Sequence, residues 1–159
     1  MAVSTKINGV KIDKNGKAKR STSRIRRKLK LMSTYSEWAD SITRKMPLAS
    51  RKEKLKKCYD YLRRLPYRYV GSFRENDKNY DLWGAEYVYN KRKFDCHPIA
   101  ATFAYMANAL GYTDVKMYQA RAPWSHSFNS INGRYYDVSL GRHNLKSYSL
   151  FNMKSYRQY

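Results

Sequence analysis

The turn dipeptide Asn132-Gly133 lies between two runs, Ser125 to Ile131 and Arg134 to Leu140. Both residues tolerate the positive φ that a two-residue reverse turn needs, so the stretch is expected to be a β-hairpin with Ile131 opposite Arg134. Counting outward sets Phe128 against Asp137 and His126 against Ser139. Period-two alternation then places residues 126, 128, 137 and 139 on one face, with His126 and Asp137 diagonal neighbours about 7–8 Å apart. An imidazole–carboxylate hydrogen bond is within reach of those side chains.

Upstream, Ile99, Phe103, Met106, Ala107 and Leu110 recur at helical spacing and Gly111 supplies a C-terminal cap, which makes this the best-defined helix of the chain. Pro98 suits its first turn, so Cys96 stands at the helix start, where unpaired N–H groups and the helix dipole favour a thiolate. A thiolate with a histidine partner is the form that attacks an acyl carbon. In such a site Asp137 orients His126, and His126 takes the thiol proton and returns it to the leaving group. Cys96, His126 and Asp137 are therefore the candidate catalytic triad. Taken singly, His126 and Asp137 are as readily structural; their shared face argues for chemistry.

The neighbours of the triad have blander readings. Asp95 is expected to be the helix N-cap, and His97, which points elsewhere than Cys96, a pocket-wall or surface residue. The backbone N–H of Cys96 is the expected oxyanion donor, with the Trp83 indole N–H the leading candidate for a second beside its more ordinary packing role. His143 is a weaker alternative base. Cys58 shares an apolar stripe with Leu55, Tyr59 and Leu62 and reads as a buried structural thiol. Two cysteines and three histidines show none of the close paired spacings of zinc ligands, so neither metal nor cofactor is expected.

Around this centre the chain reads as an α+β protein. Tyr35, Trp38, Ile42 and Met46 predict a helix from Ser33 to near Pro47, and Ser50 with Glu53 predicts a capping box opening a second helix that runs to Leu65. A strand is expected over 66–73, a loop over 74–81, a short helix from Trp83 to Tyr89, and a strand over 115–118. Residues 1–31 are basic and poor in apolar groups, and are expected to be a flexible leader or the end of an upstream repeat; residues 32–159 form the catalytic domain, with its core at 50–145.

The formal charge is +21, and residues 1–57 carry +14 of it, so most of the basicity lies outside the proposed site. Such a charge favours anionic partners, yet it is concentrated in the leader, and no nucleic-acid-binding motif accompanies it; nucleic acid is disfavoured. No stretch is long and apolar enough to span a membrane, and the first thirty residues lack the apolar centre of a secretory signal.

The segment from Phe94 through Cys96 to Met106, continuing to Leu110-Gly111-Tyr112, closely resembles the nucleophile helix of bacterial transglutaminase-like domains. Trp124-Ser125-His126-Ser127-Phe128 resembles their histidine strand, and Asn132 through Asp137 to Ser139 their aspartate strand, in the family's order of Cys, His, Asp. The likeness spans residues 50 to about 145. It implies a papain-like core, a nucleophile helix packed on an antiparallel sheet with extra N-terminal helices, and adds Trp124 to Trp83 and His97 as candidate pocket residues. Asp95 and His97 flanking Cys96 depart from the family's commoner Gly-x-Cys pattern. Residues 6–19 are also similar to the end of a Gram-positive cell-wall-binding repeat, which implies an extracellular or cell-surface location.

The expected function is thiol-dependent acyl transfer on peptide or isopeptide amides through a Cys96 thioester, with hydrolysis favoured over cross-linking because water is always present. The substrate is expected to be a peptide or protein and the enzyme a monomer. The alternative is a non-catalytic basic module that binds an anionic cell-wall polymer or a nucleic acid.

Overall fold

The computed structural model describes residues 5–7, 10–12, 14–15, 23–70, 78–120, 125–148 and 153–158. The chain is an α+β protein. Its element order is β1 (Thr5–Ile7), β2 (Val10–Ile12), α1 (Ser23–Ile42), α2 (Arg51–Arg63), α3 (Tyr80–Lys91), α4 (Cys96–Ala109), β3 (Val115–Ala120), β4 (His126–Ile131), β5 (Arg134–Asp137), β6 (Arg142–Leu145) and β7 (Met153–Gln158). β1 and β2 pair with each other, and β3 to β7 form an antiparallel sheet in the order β6-β5-β4-β3-β7.

α4 is the pivot. From His97 to Met106 each of its residues is buried, as a helix apolar all round requires. It lies against β3 and β4 on one side and against α1, α2 and α3 on the other. Its end is a Schellman cap: Gly111 at φ +97 sends its N–H to Asn108, and Tyr112 sends its own to Ala107. The fully buried Tyr35 hydroxyl donates to the Ala85 carbonyl at 2.8 Å and lies 3.1 Å from Thr102 Oγ1, which ties α1 to α3 and α4.

α2 opens with the expected capping box of Ser50 and Glu53, and Cys58 is fully buried on its inner face. α1 starts at Ser23 rather than Ser33 and takes in the last residues of the expected leader; the rest of that leader, apart from β1, β2 and the turn at 14–15, lies outside the described residues. The physical reason for the early start is tertiary. Arg24 makes a two-pronged contact with the buried Asp81 of α3, Arg27 grips Glu86 with 2.9 Å bonds, and Leu31 enters the core. Over 66–73 the described part, 66–70, holds a single parallel bridge from Tyr67 to Phe94 rather than a strand. β6 and β7 were not anticipated.

α3 and α4 pack closely at Gly84, where an added Cβ would stand 3.0 Å from the Pro98 Cα. In an open helix alanine would gain about 1 kcal/mol over glycine. Here the backbone contact reverses the sign, and Gly84→Ala should destabilise the protein by about 1–2 kcal/mol in urea unfolding.

Candidate active site

The hairpin forms in the expected register, with Ile131 opposite Arg134 and both turn residues at positive φ (49 and 75). His126 and Asp137 meet: Nε2 lies 2.6 Å from Oδ2, with the two residues 3% and 1% exposed. The same Oδ2 accepts the Tyr148 hydroxyl at 2.7 Å, while Oδ1 accepts the Ser139 hydroxyl at 3.0 Å and the Leu140 N–H at 3.2 Å. These last two bonds curl the chain over and end β5 at Asp137, short of the expected Leu140. Ser139 therefore caps Asp137 instead of pairing with His126. Burial pushes the Asp137 carboxyl up, but the bond and charge of His126, the Tyr148 hydroxyl and the Leu140 N–H outweigh it and hold the group below its ordinary value. Asp137 engages Nε2, so any base role of the ring falls to Nδ1.

Tyr148 escaped the sequence reading. It follows β6, in a stretch without periodicity, and reaches the pair by laying its ring 4.9 Å from that of Phe128. Burial and the Asp137 carboxylate raise its pKa, so it stays a donor.

Cys96 begins α4 as expected, and Asp95 is the N-cap: its Oδ1 accepts the Cys96 N–H at 2.7 Å. Asp95 also accepts the Val70 N–H at 3.2 Å and lies 3.4 Å from the Tyr67 hydroxyl. Two corrections follow. The Cys96 N–H is engaged by Asp95 and is not a free oxyanion donor. The thiol is also not lowered: burial, then the adjacent Asp95 charge, push it up to about 12, against the opposing pull of the Ser127 and His97 N–H groups beside the sulfur. A carboxylate caps the helix start, and its charge offsets the dipole.

The faces of β4 divide the site. Ser127 turns toward α4, where its hydroxyl meets His97 Nδ1, and Asn129 Nδ2 donates to the Ala100 carbonyl at 3.0 Å. Alternation puts His126 and Phe128 on the other face, with Asp137 and Tyr148. The structure thus joins His126 to Asp137 and places the thiol on the helix side of the same strand end. Among the described residues Cys96 is contacted by Asp95 and by the Ser127 and His97 N–H groups, and not by His126. His97 is a buried wall residue between α4 and β4, its Nε2 2.9 Å from Ser125 Oγ. Trp83 is half-buried and stacks on Tyr87 within α3, a packing role. His143 lies in β6, its ring 5.5 Å from that of Tyr59. Trp124 lies outside the described residues.

No family model matches the chain, and neither the curated proteins nor the solved structures contain a match. Among the described residues no group of three or more His, Cys, Asp or Glu side chains is placed to hold a metal, and no helix is long and apolar enough to cross a membrane.

Two outcomes follow. Asp95→Asn keeps an N-cap acceptor while removing its charge. It should shift the pH profile of Cys96 alkylation by iodoacetamide to lower pH, with Cys58, buried and pushed up to about 12, as the slow internal control in peptide mass spectrometry. Because Asp137 is held low, its contribution to stability is present above the ordinary carboxylate value and is lost as pH falls through the lower folded value. Asp137→Asn should therefore cost about 3 kcal/mol at pH 7 in urea unfolding, a gap that narrows below about pH 4.

Proposed function

We propose that the protein is a cysteine acyl-transfer enzyme with a papain-like, transglutaminase-like core, acting on peptide or isopeptide amides. Cys96 is the nucleophile, His126 the general base and Asp137 its orienting partner. The reading is carried by the buried His126–Asp137 pair, whose carboxylate is saturated by four donors and which adjoins the strand residue whose N–H contacts the Cys96 sulfur. A carboxylate held so firmly can fix an imidazole's tautomer and stabilise the imidazolium that forms when the thiol yields its proton.

The thiol is neutral at rest, so it is deprotonated as the acyl donor engages rather than beforehand. Thiol and imidazole lie on opposite faces of β4 at its His126-Ser127 end, so in this reading the proton passes from the thiol to His126 through one bridging water. The acyl group then rests on Cys96 as a thioester until water or an amine removes it. Hydrolysis needs no acceptor pocket and is the primary outcome.

The experiment is acylation by p-nitrophenyl acetate, read as a burst of p-nitrophenolate and an acetyl group mapped to Cys96. Cys96→Ala should abolish the burst, and His126→Ala should slow it about 10²–10⁴-fold, with His97→Ala much less damaging. A burst that survives Cys96→Ala removes the nucleophile; one lost only in His97→Ala transfers the base to that residue.

One observation favours a second reading. The raised thiol, on the face away from His126, suits a non-catalytic module that binds an anionic wall polymer through its basic surface. Polymer binding that falls steeply with salt and ignores Cys96→Ala, with no acylation of the native protein, is its signature.

A further inference from the structure

Among the described residues, the backbone N–H groups around Cys96 are already engaged. The Cys96 N–H is bound to Asp95, and the Ser127 N–H is directed at the sulfur itself. An acyl oxygen that gains negative charge needs a preorganised donor beside it.

Gln119 is placed to be that donor. It lies on β3 directly opposite Ser127, and, like Val115 and Met117 at alternate positions of the strand, faces the α4 side. Directly opposed residues of antiparallel strands have Cβ atoms about 4.5–5.5 Å apart, so the Gln119 side chain reaches over Ser127, whose N–H lies beside the Cys96 sulfur. Gln119 is only 5% exposed, and its Nε2 has no hydrogen-bond partner among the described residues. Buried donors are almost always satisfied, because an unmade bond in the interior is costly. An unsatisfied amide beside a candidate nucleophile is explained if its acceptor arrives with the substrate.

We infer that the Gln119 side-chain amide is an oxyanion donor of the Cys96 site, hydrogen-bonding the carbonyl oxygen of the acyl group under attack; the inference rests on the acyl-transfer reading. The sulfur forms a bond to the acyl carbon, and the carbonyl π pair moves onto the oxygen, which Gln119 holds. When that pair returns, the bond to the leaving group breaks. The leaving group departs with its electron pair and receives the proton that His126 took from the thiol; p-nitrophenolate, a weak base, leaves as the anion.

Two reagents separate this role from the nucleophile's. p-Nitrophenyl acetate reacts through a tetrahedral oxyanion, whereas iodoacetamide alkylates sulfur by displacing iodide and forms none. Gln119→Met, close in volume but without a donor, should slow acetylation of Cys96 about 10²-fold while leaving its alkylation rate unchanged. The melting temperature should hold or rise, since an unsatisfied polar group is removed. Gln119→Glu, which presents an acceptor in the same place, should slow acetylation at least as much. Acetylation at the native rate in Gln119→Met overturns the inference, as does an equal fall in acetylation and alkylation in both variants, which marks a disturbed site. A native protein that shows no Cys96-dependent burst instead sinks the acyl-transfer reading, and this inference with it.

Discussion

A helix with no solvent face is the constraint on which the rest of this structure depends. α4 carries Ile99, Phe103 and Met106 together with a series of small alanines, and such a segment is stable only when enclosed. The sheet encloses one side and three helices the other, and the small residues allow the close approach of α3 at Gly84. Enclosure also fixes where the helix begins. Cys96 cannot move without disturbing Asp95, and Asp95 in turn holds the chain at Val70 and the start of α4.

Two buried carboxylates near the strand end act in opposite senses. Asp137 is surrounded by donors, so its charge is stabilised and is available to orient His126. Asp95 is bonded to backbone N–H groups, but it lies against a half-buried thiol and opposes any negative charge there. The result is a thiol that stays protonated unless its surroundings change. Placing the His126–Asp137 pair on the far face of β4 adds a geometric separation to this electrostatic one.

Local rules made much of this legible. The Asn132-Gly133 turn set the register of β4 and β5 and so brought His126 to Asp137, because a two-residue turn leaves no freedom in strand pairing. The Ser50–Glu53 box and the Asp95 cap are contacts within three residues, and Cys58 was legible from the stripe it shares with Leu55 and Leu62. The early start of α1 was hidden, since Arg24 and Arg27 look like solvated charge until Asp81 and Glu86 are brought beside them.

By itself the sequence determined the helix that begins at Cys96, its cap, the hairpin register and the imidazole–carboxylate pair, all of which follow from backbone periodicity and hydrogen bonds over short separations. Tertiary structure alone decided which face of β4 meets α4, the burial that raises the Cys96 thiol, and the placement of Tyr148 on Asp137 and of Gln119 opposite Ser127. Those outcomes depend on burial and on contacts between distant segments, and a linear pattern records neither.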